Sequence, residues 1–233
     1  MIVSHKYQFI FLKTSKTAGT SIEIALSRIC DKGDIITAVS DEDEKIRNEL
    51  GGQPSSIYPA SKSIYNPRDW YHYLINGKQK QNYYNHISAR KLKRRLPKQV
   101  WDNYYRFCVV RNPWDRVLSQ YHWRYRSVAE DERPSLDDFL DSRHVRSLIR
   151  KGYKLYTIGG DVQVHKICPY ENLKQDLEQV RQELGLPAEI ELPGAKSGYR
   201  KDRRHYREVL NESQSRRIAE LFKEEISLID YSF

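Results

Sequence analysis

Short apolar runs and amphipathic segments alternate along the chain. Residues 2–12 form the first apolar run, which predicts a strand that stops at small, polar and basic residues. Residues 20–28 then have the apolar spacing of a helix. A strand, a loop with glycine and hydroxyl side chains, and a helix form the layout of a phosphate-binding loop, because backbone N–H groups at a helix N-terminus attract an anion.

Later segments repeat this alternation of strand and helix. The clearest strand pattern covers residues 104–110, and the helix after it is predicted over residues 113–126, with Asn112 as its N-cap. A further strand is predicted at residues 162–168, and further helices at residues 88–96, 135–140, 173–184 and 212–228. Strands that alternate with helices predict an α/β fold in which a central parallel sheet is flanked by helices.

Residues 30–83 lack a clean periodicity. They contain an acidic patch at 41–44, a stretch at 51–56 that predicts a mobile loop, and an aromatic run at 70–73 that suits either an acceptor cleft or packing under a loop. A chain of 233 residues can bury a proper core, so we expect a single domain over residues 1–233. We expect residues 30–83 to be an insertion on the acceptor side of that domain.

The net charge of +9 predicts an anionic partner. Nucleic acid, a phosphorylated cofactor, an acidic glycan and a membrane surface all fit that charge, but no nucleic-acid-binding module is recognisable and no apolar stretch is long enough to span a bilayer. Three distant cysteines give no metal-ligand spacing and no disulfide framework, which fits a reducing compartment. We therefore expect a cytoplasmic protein that needs no metal, and the oligomeric state stays open.

The loop after the first strand has an unusual residue order. Lys16 and Thr17 precede Gly19 and Thr20, whereas a Walker A loop places its glycine before the lysine. This order, KTAGTS, resembles the 5′-phosphosulfate loop of sulfotransferases that use the sulfate donor PAPS (3′-phosphoadenylyl sulfate). Ser15 stands where many members of that family have a proline.

A second motif, VVRNPWDRVLS at residues 109–119, follows the clearest predicted strand. Arg111 ends that strand, where open α/β sheets bind ligands, and Ser119 lies two helical turns further on. An arginine fork and one hydroxyl suit a phosphate monoester. The stretch resembles the 3′-phosphate motif of the same sulfotransferases. Weaker resemblances extend the likeness over nearly the whole chain, at residues 85–89, 170–173, 205–208 and 230–233.

The resemblance implies a P-loop nucleotide-kinase-like sulfotransferase fold. It also implies in-line transfer of a sulfuryl group from PAPS to an acceptor hydroxyl, with PAP (adenosine 3′,5′-bisphosphate) as product and without a metal. Lys16 would stabilise charge on the bridging oxygen, and His86 would act as general base, with His122 and Glu23 as rivals. The implied donor-binding residues are Lys13, Lys16, Thr17, Ala18, Gly19, Thr20, Ser21, Arg111, Ser119, Lys196, Ser197 and Arg200.

Two other functions fit parts of the pattern. A nucleotide-dependent kinase or NTPase on a P-loop fold would need Mg²⁺ and an acidic ligand at a strand end, and the missing Walker A order counts against it. A non-catalytic protein that binds nucleic acid or acidic glycan would show steep salt dependence and no preference for the bisphosphate. The residues leave the acceptor open, and resemblance to microbial and carbohydrate 2-O-sulfotransferases makes a carbohydrate our expectation.

Overall fold

The computed structural model describes residues 1–187, 190–193 and 204–233. Its strands are β1 (Ile2–Ser4), β2 (Phe9–Leu12), β3 (Ile35–Ile36), β4 (Tyr105–Val110), β5 (Thr157–Ile158), β6 (Asp161–Val162) and β7 (Lys166–Pro169). Its helices are α1 (Gly19–Ser27), α2 (Asp41–Glu49), α3 (Pro67–Asn76), α4 (Ala89–Lys93), α5 (Lys98–Asn103), α6 (Pro113–Arg124), α7 (Leu136–Asp141), α8 (Arg143–Arg150), α9 (Tyr153–Tyr156), α10 (Leu173–Glu183), α11 (Tyr206–Val209), α12 (Glu212–Leu221) and α13 (Lys223–Ile229).

Five strands form one mixed sheet in the order β3-β1-β2-β4-β7. Strands β2, β4 and β7 run parallel, whereas β1 is antiparallel to both β2 and β3. The predicted parallel sheet is therefore confirmed for these three strands, and antiparallel strands extend it at one side. Leu12 of β2 pairs with Cys108 of β4, so the segments that follow these two strands leave the sheet at the same edge.

The first predicted strand is a β-hairpin. The pattern predicts one strand over residues 2–12, but the structure has β1 and β2 joined by a turn at residues 5–8. Gln8 closes that turn with a φ of 52°, a left-handed conformation that glycine adopts more readily. Two other predicted elements are also divided: residues 162–168 between β6 and β7, and residues 212–228 between α12 and α13.

Residues 30–83 contain helices that the apolar pattern leaves unpredicted. The acidic patch begins α2, because the Ser40 hydroxyl accepts a hydrogen bond from the Asp43 N–H and acidic side chains favour the start of a helix. The aromatic run lies on α3, where Tyr71 and Leu74 are exposed to solvent.

Alternate residues of β2 and β4 are buried on opposite faces of the sheet. One face packs against α1 and α10, and the other packs against α4 and α9. The buried residues of the first face include Phe9, Phe11, Phe107, Ile22 and Leu177. Those of the second face include Ile10, Leu12, Cys108, Leu92 and Leu155. Burial on both faces explains why β2 and residues 107–110 of β4 are apolar throughout.

The C-terminal helices anchor α6. Asn112 caps α6 by accepting from the Trp114 N–H (3.1 Å), and its side-chain amide donates to the Tyr206 hydroxyl (3.2 Å). One turn further on, buried Arg116 donates two hydrogen bonds to Glu225, at 2.9 and 2.5 Å. The first turns of α6 are therefore held by both α11 and α13.

Cys30, Cys108 and Cys168 are buried with free thiols, and burial raises the pKa of each. They are core residues rather than nucleophiles, because the thiolate form is disfavoured in apolar surroundings. Among the helices of the described residues, none has the length and apolar character needed to cross a membrane.

Candidate functional site

A cavity of about 990 Å³ lies between the segments that follow β2, β4 and β7. Every predicted site residue that the structure describes lines this cavity: Lys13, Lys16, Thr17, Ala18, Gly19, Thr20, Ser21, His86, Arg111 and Ser119. Residues 9–21 and 109–119 are far apart in the chain, and the parallel pairing of β2 with β4 brings them together. Lys196, Ser197 and Arg200 lie outside the described residues, so their predicted role stays a prediction.

The loop between β2 and α1 has the backbone of an anion-binding site. Lys16 and Ala18 adopt left-handed conformations, with φ of 66° and 56°. Left-handed residues that alternate with right-handed ones turn successive N–H groups toward one point, and such a concavity binds anions. Ala18 is also the N-cap of α1, whose first N–H groups have no partner within the helix. The loop therefore presents backbone donors and a positive helix end to the cavity.

Two hydrogen bonds fix the loop to the rest of the protein, and one contact lies within it. The Thr14 hydroxyl lies 2.9 Å from the Thr17 hydroxyl and donates to the carbonyl of Val109 in β4. The Ser15 N–H donates to the Lys151 carbonyl at 3.0 Å. Thr14 and Lys151 are absent from the predicted site, since a threonine hydrogen bond to a strand 95 residues away leaves no pattern in the sequence.

Lys13 lies beneath the loop and pairs with Glu23 of α1. Both side chains are buried, and the terminal amino group of Met1 and the Thr37 hydroxyl also contact the Glu23 carboxylate. Burial alone would raise the pKa of Glu23, but the Lys13 ammonium, followed by the Met1 amino group, outweighs it and lowers that pKa to about 2. Glu23 is thus a paired anion, which does not suit the role of rival base.

Gly19 is needed where the chain passes over Lys13. A Cβ atom at Gly19 would lie 2.7 Å from Cγ of Lys13, closer than packed carbon atoms approach. The glycine therefore allows α1 to start directly above the buried ion pair.

Arg111 lies at the point where β4 ends and is held on three sides. Its guanidinium donates to Asp115 (2.7 Å) and to the carbonyl of Lys16 (3.3 Å), and it lies 4.4 Å from the ring centre of Tyr170. The aromatic face and the carboxylate orient the guanidinium plane. Arg111 is therefore joined to the loop by a direct hydrogen bond.

Residues of α6 and α8 form another wall of the cavity. Ser119, Gln120 and Trp123 line it from α6, and the Lys16 ammonium lies 5.0 Å from the ring centre of Trp123. His144, Ser147, Leu148 and Lys151 line it from α8 and the residue that follows. Spacings of three and four residues put these side chains on one face of each helix, which is the sequence signal for them. The rival base His122 is not among the lining residues and packs against Tyr121.

His86 lines the cavity with its ring orientation fixed. Its Nδ1 lies 2.9 Å from the Lys13 carbonyl, so Nδ1 carries the proton and donates, and Nε2 keeps its lone pair. Burial lowers the pKa of His86 to about 4, although the hydrogen bond to Lys13 opposes this shift. The imidazole is therefore neutral at neutral pH and able to accept a proton. Its φ of 57° is unusual for a residue with a side chain and is a form of local strain.

The charge of the cavity fits a ligand with two anionic groups. Cationic side chains outnumber carboxylates in the lining: Lys13, Lys16, Arg111, Lys151 and Lys174 against Glu178 and Glu191. The anion-binding loop lines the same cavity as Arg111 and Ser119, and Arg111 donates to the Lys16 carbonyl of that loop. No cluster of His, Cys, Asp and Glu side chains that could hold a metal ion occurs within the described ranges.

A family model, a curated relative and a solved structure are similar to this chain to different extents. A model described as "Sulfotransferase family" matches residues 1–232. The chain is 31% identical to an uncharacterized protein of Archaeoglobus fulgidus over 121 residues, which is 49% of this chain and 98% of that protein. The crystal structure of a sulfotransferase from Alicyclobacillus acidocaldarius is similar with a TM-score of 0.41, at 16% identity and 96% coverage of each chain. That structural likeness is too loose to carry an argument, whereas the family model covers nearly every residue.

Proposed function

The chain belongs to the sulfotransferase family, and we propose from this that it transfers a sulfuryl group from PAPS to an acceptor hydroxyl. The donor carries its sulfuryl group on the 5′-phosphate of the nucleotide, and that phosphate is the leaving group of the transfer. In the transfer, the bond between sulfur and the bridging oxygen breaks and a bond between sulfur and the acceptor oxygen forms. The acceptor proton passes to a base, and PAP is released.

One observation carries the proposal: the loop and the pair Arg111 and Ser119 line the same cavity. We assign the loop N–H groups and the hydroxyls of Thr17, Thr20 and Ser21 to the 5′-phosphate side of the donor. We assign the guanidinium of Arg111 and the hydroxyl of Ser119 to the 3′-phosphate. We assign Lys13 a supporting role beneath the loop. Its ammonium is already paired with the Glu23 carboxylate and is therefore less available to the donor.

We assign the chemical step to Lys16 and His86. The Lys16 ammonium would stabilise the charge that develops on the bridging oxygen, an interaction that strengthens in the transition state. Nε2 of His86 would accept the proton of the acceptor hydroxyl, since Nδ1 is occupied by the Lys13 carbonyl. Both residues line the cavity, Lys16 within the loop and His86 from a separate segment.

We also propose that residues 30–83 form the acceptor side of a single domain. Val39 and Ser40, at the start of α2, belong to this segment and line the cavity. The aromatic run of α3 is not among the lining residues, so it takes no direct part at the reacting hydroxyl in this arrangement.

Calorimetric titration with adenosine 3′,5′-bisphosphate tests the donor assignment. We expect low-micromolar affinity, about −8 kcal/mol, and weaker binding of adenosine 5′-monophosphate, which lacks the second phosphate. Arg111→Ala should weaken bisphosphate binding by about 10- to 100-fold, which is the loss expected for a charged hydrogen-bonding group. Arg90→Ala, an exposed arginine outside the cavity, is the matched control.

Lys16→Ala tests the role at the leaving group. We expect a large fall in turnover with labelled PAPS and a small change in bisphosphate affinity, since the contact strengthens mainly in the transition state. Absence of bisphosphate binding in the wild-type protein would refute the donor assignment. An unchanged turnover in Lys16→Ala would refute the role of that lysine.

A further inference from the structure

Helix α3 turns apolar side chains toward solvent. Leu74 and Ile75 come three and four residues after Tyr71, so the three side chains share one side of the helix. The exposed fractions of Tyr71, Leu74 and Ile75 are 59%, 72% and 65%. A surface helix of a globular protein normally turns such a stripe toward the core. We call these three side chains the outward face of α3.

A different side of α3 attaches the helix to the protein. The rings of Trp70 and Tyr73 lie 5.3 and 6.1 Å from the ring of Tyr65. The Asp69 carboxylate accepts from the Lys80 ammonium at 2.6 Å. The helix is therefore held through these aromatic and acidic side chains, and the outward face stays exposed in the folded protein.

Cationic residues are concentrated in the part of the chain that contains α3. Residues 54–101 have ten of the 40 Lys and Arg residues but only one of the 31 Asp and Glu residues. The rest of the chain then has 30 residues of each sign, so the whole net charge of +9 belongs to this stretch, which we call the basic segment. Its one carboxylate, Asp69, is already paired with Lys80. Positive charge gathered in one place attracts a surface of opposite charge.

Three of these cations lie at the ends of α3 or against it. Arg68 belongs to the first turn of α3, on the same side as Tyr71, and Lys78 directly follows the residue that caps the C-terminus of the helix. Both side chains are exposed. The Lys62 ammonium lies 4.5 Å from the centre of the Tyr73 ring and donates to its hydroxyl at 2.9 Å. Cations therefore flank the outward face at both ends of the helix.

The cations of α4 and of the residues that follow it are neighbours of the segment that leads into α3. Ile64, which is 49% exposed, lines a cavity of about 390 Å³ together with Lys91, Arg94 and Arg95. The next residue, Tyr65, is the one whose ring packs against α3. Apolar and cationic side chains of the basic segment thus meet on one part of the protein surface.

An apolar face with cations around it favours one kind of partner. A nucleic acid would bind the cations and leave Leu74 and Ile75 in water. A second copy of the chain would bring its own basic segment, and the like charges would repel. The surface of an anionic bilayer accepts both features, because apolar and aromatic side chains enter the interface while Lys and Arg stay among the headgroups. The outward face lines neither of the two cavities described above, and a face without a groove suits a deformable surface.

We propose that α3 docks the protein on an anionic lipid bilayer. The outward face enters the boundary between headgroups and acyl chains, and the cations of the basic segment bind the phosphate and carboxylate groups of the lipids. The contact is peripheral, since it uses the side chains of one surface helix and the cations beside it. This inference goes beyond the proposed function and uses none of the residues that we assign to the donor or to the chemical step.

Co-sedimentation of the full chain with lipid vesicles tests the proposal. The probes are vesicles of phosphatidylcholine alone and vesicles in which about 30% of the lipid is phosphatidylserine. We expect the protein to bind the anionic vesicles at least about 10-fold more tightly, because several cations act together at such a surface. Added salt should reduce that preference, since it screens charges at an exposed surface.

Two variants with matched controls separate the apolar from the cationic contribution. Leu74→Ser should weaken binding to the anionic vesicles about 10-fold, whereas Leu228→Ser, at a 40% exposed leucine of α13, should change it by less than about 2-fold. Lys78→Gln should weaken it about 5-fold, whereas Lys45→Gln, at an exposed lysine of α2, should change it by less than about 2-fold. All four side chains are exposed, so each variant should keep the fold, which circular dichroism checks.

Several outcomes would overturn the proposal. Binding to neither kind of vesicle, equal binding to both, or equal losses in Leu74→Ser and Leu228→Ser would exclude docking through the outward face. Dimers in light scattering that Leu74→Ser abolishes, without vesicle binding, would make this face an interface between two copies. A single-stranded DNA of about 20 nucleotides that loses affinity in Lys78→Gln, without vesicle binding, would assign the cations to nucleic acid. Vesicle binding is measured without the nucleotide, so its failure leaves the donor assignment unaffected, and absence of bisphosphate binding leaves the docking unaffected.

Discussion

His86 gives a prediction in which the structure sets both the direction and the size of the effect. Burial lowers its pKa from 6.5 to about 4, against the hydrogen bond that its Nδ1 donates to Lys13. At pH values between about 4 and 6.5, the unfolded chain binds a proton on this imidazole and the folded protein does not. Stability that His86 contributes is therefore complete above pH 6.5 and is lost as the pH falls toward about 4.

The magnitude follows from the shift. A displacement of one pKa unit corresponds to about 1.4 kcal/mol, so the free energy of unfolding should fall by about 3 kcal/mol over this range. Other groups titrate in the same range, and a variant that lacks only this imidazole removes their contribution. His86→Asn is suitable, because asparagine tolerates the left-handed φ of 57° at this position better than most residues that carry a side chain.

Urea unfolding of the wild type and His86→Asn at several pH values between 4 and 7 measures the effect. We expect the wild type minus variant difference in unfolding free energy to increase by about 3 kcal/mol from pH 4 to pH 7. If the unfolding free energies of the wild type and His86→Asn differ by the same amount at every pH in this range, the folded protein does not hold a buried, neutral imidazole at residue 86. The same shift implies that kcat/KM should show no decline near pH 6.5 if His86 is the base, whereas a decline there would point to another group.

Two further predictions concern the support of the site, and both are measured by urea unfolding. Gly19→Ala should cost about 1–3 kcal/mol, because the new methyl group would contact Lys13, whereas Gly33→Ala has open space and should cost much less; equal costs would contradict the close approach. Glu225→Gln should cost about 3–5 kcal/mol, because it leaves the buried Arg116 guanidinium without its charged partner. A loss below about 1 kcal/mol would show that the pair contributes little.

The sequence predicts the parts of the site that depend on neighbouring residues. The order of residues in the loop, and the position of Arg111 at the end of an apolar strand, are local patterns, and the structure brings both to one cavity. The pairing of Lys13 with Glu23 is less predictable, because it joins the end of a strand to the buried face of a helix. The hydrogen bond from the Thr14 hydroxyl to the Val109 carbonyl joins residues that are 95 positions apart. It depends on the order of the strands in the sheet, which short sequence motifs do not encode.

Backbone conformation explains the main errors in the predicted elements. A turn at residues 5–8 is hidden because it contains no glycine, proline or asparagine, and Gln8 supplies the left-handed conformation instead. The last helix divides at Phe222, a buried residue with a φ of −118° and a ψ of 19°, and residues 212–228 contain no glycine or proline that would mark the division. By contrast, α2 has a readable signal in Ser40 followed by acidic residues, which is a standard N-terminal cap pattern.

The loop and Arg111 are bonded to each other and not only to the sheet. Arg111 donates to the Lys16 carbonyl, and Thr14 joins the start of the loop to β4, the strand that ends at Arg111. The separation between the two anion-binding parts is therefore set before a ligand arrives, and the cost of ordering protein groups is reduced. A ligand whose two anionic groups match that separation gains binding free energy from both parts of the site. A ligand with a single anionic group gains it from one part. If the proposed donor assignment holds, this fixed spacing predicts that a nucleotide bisphosphate binds more tightly than a monophosphate.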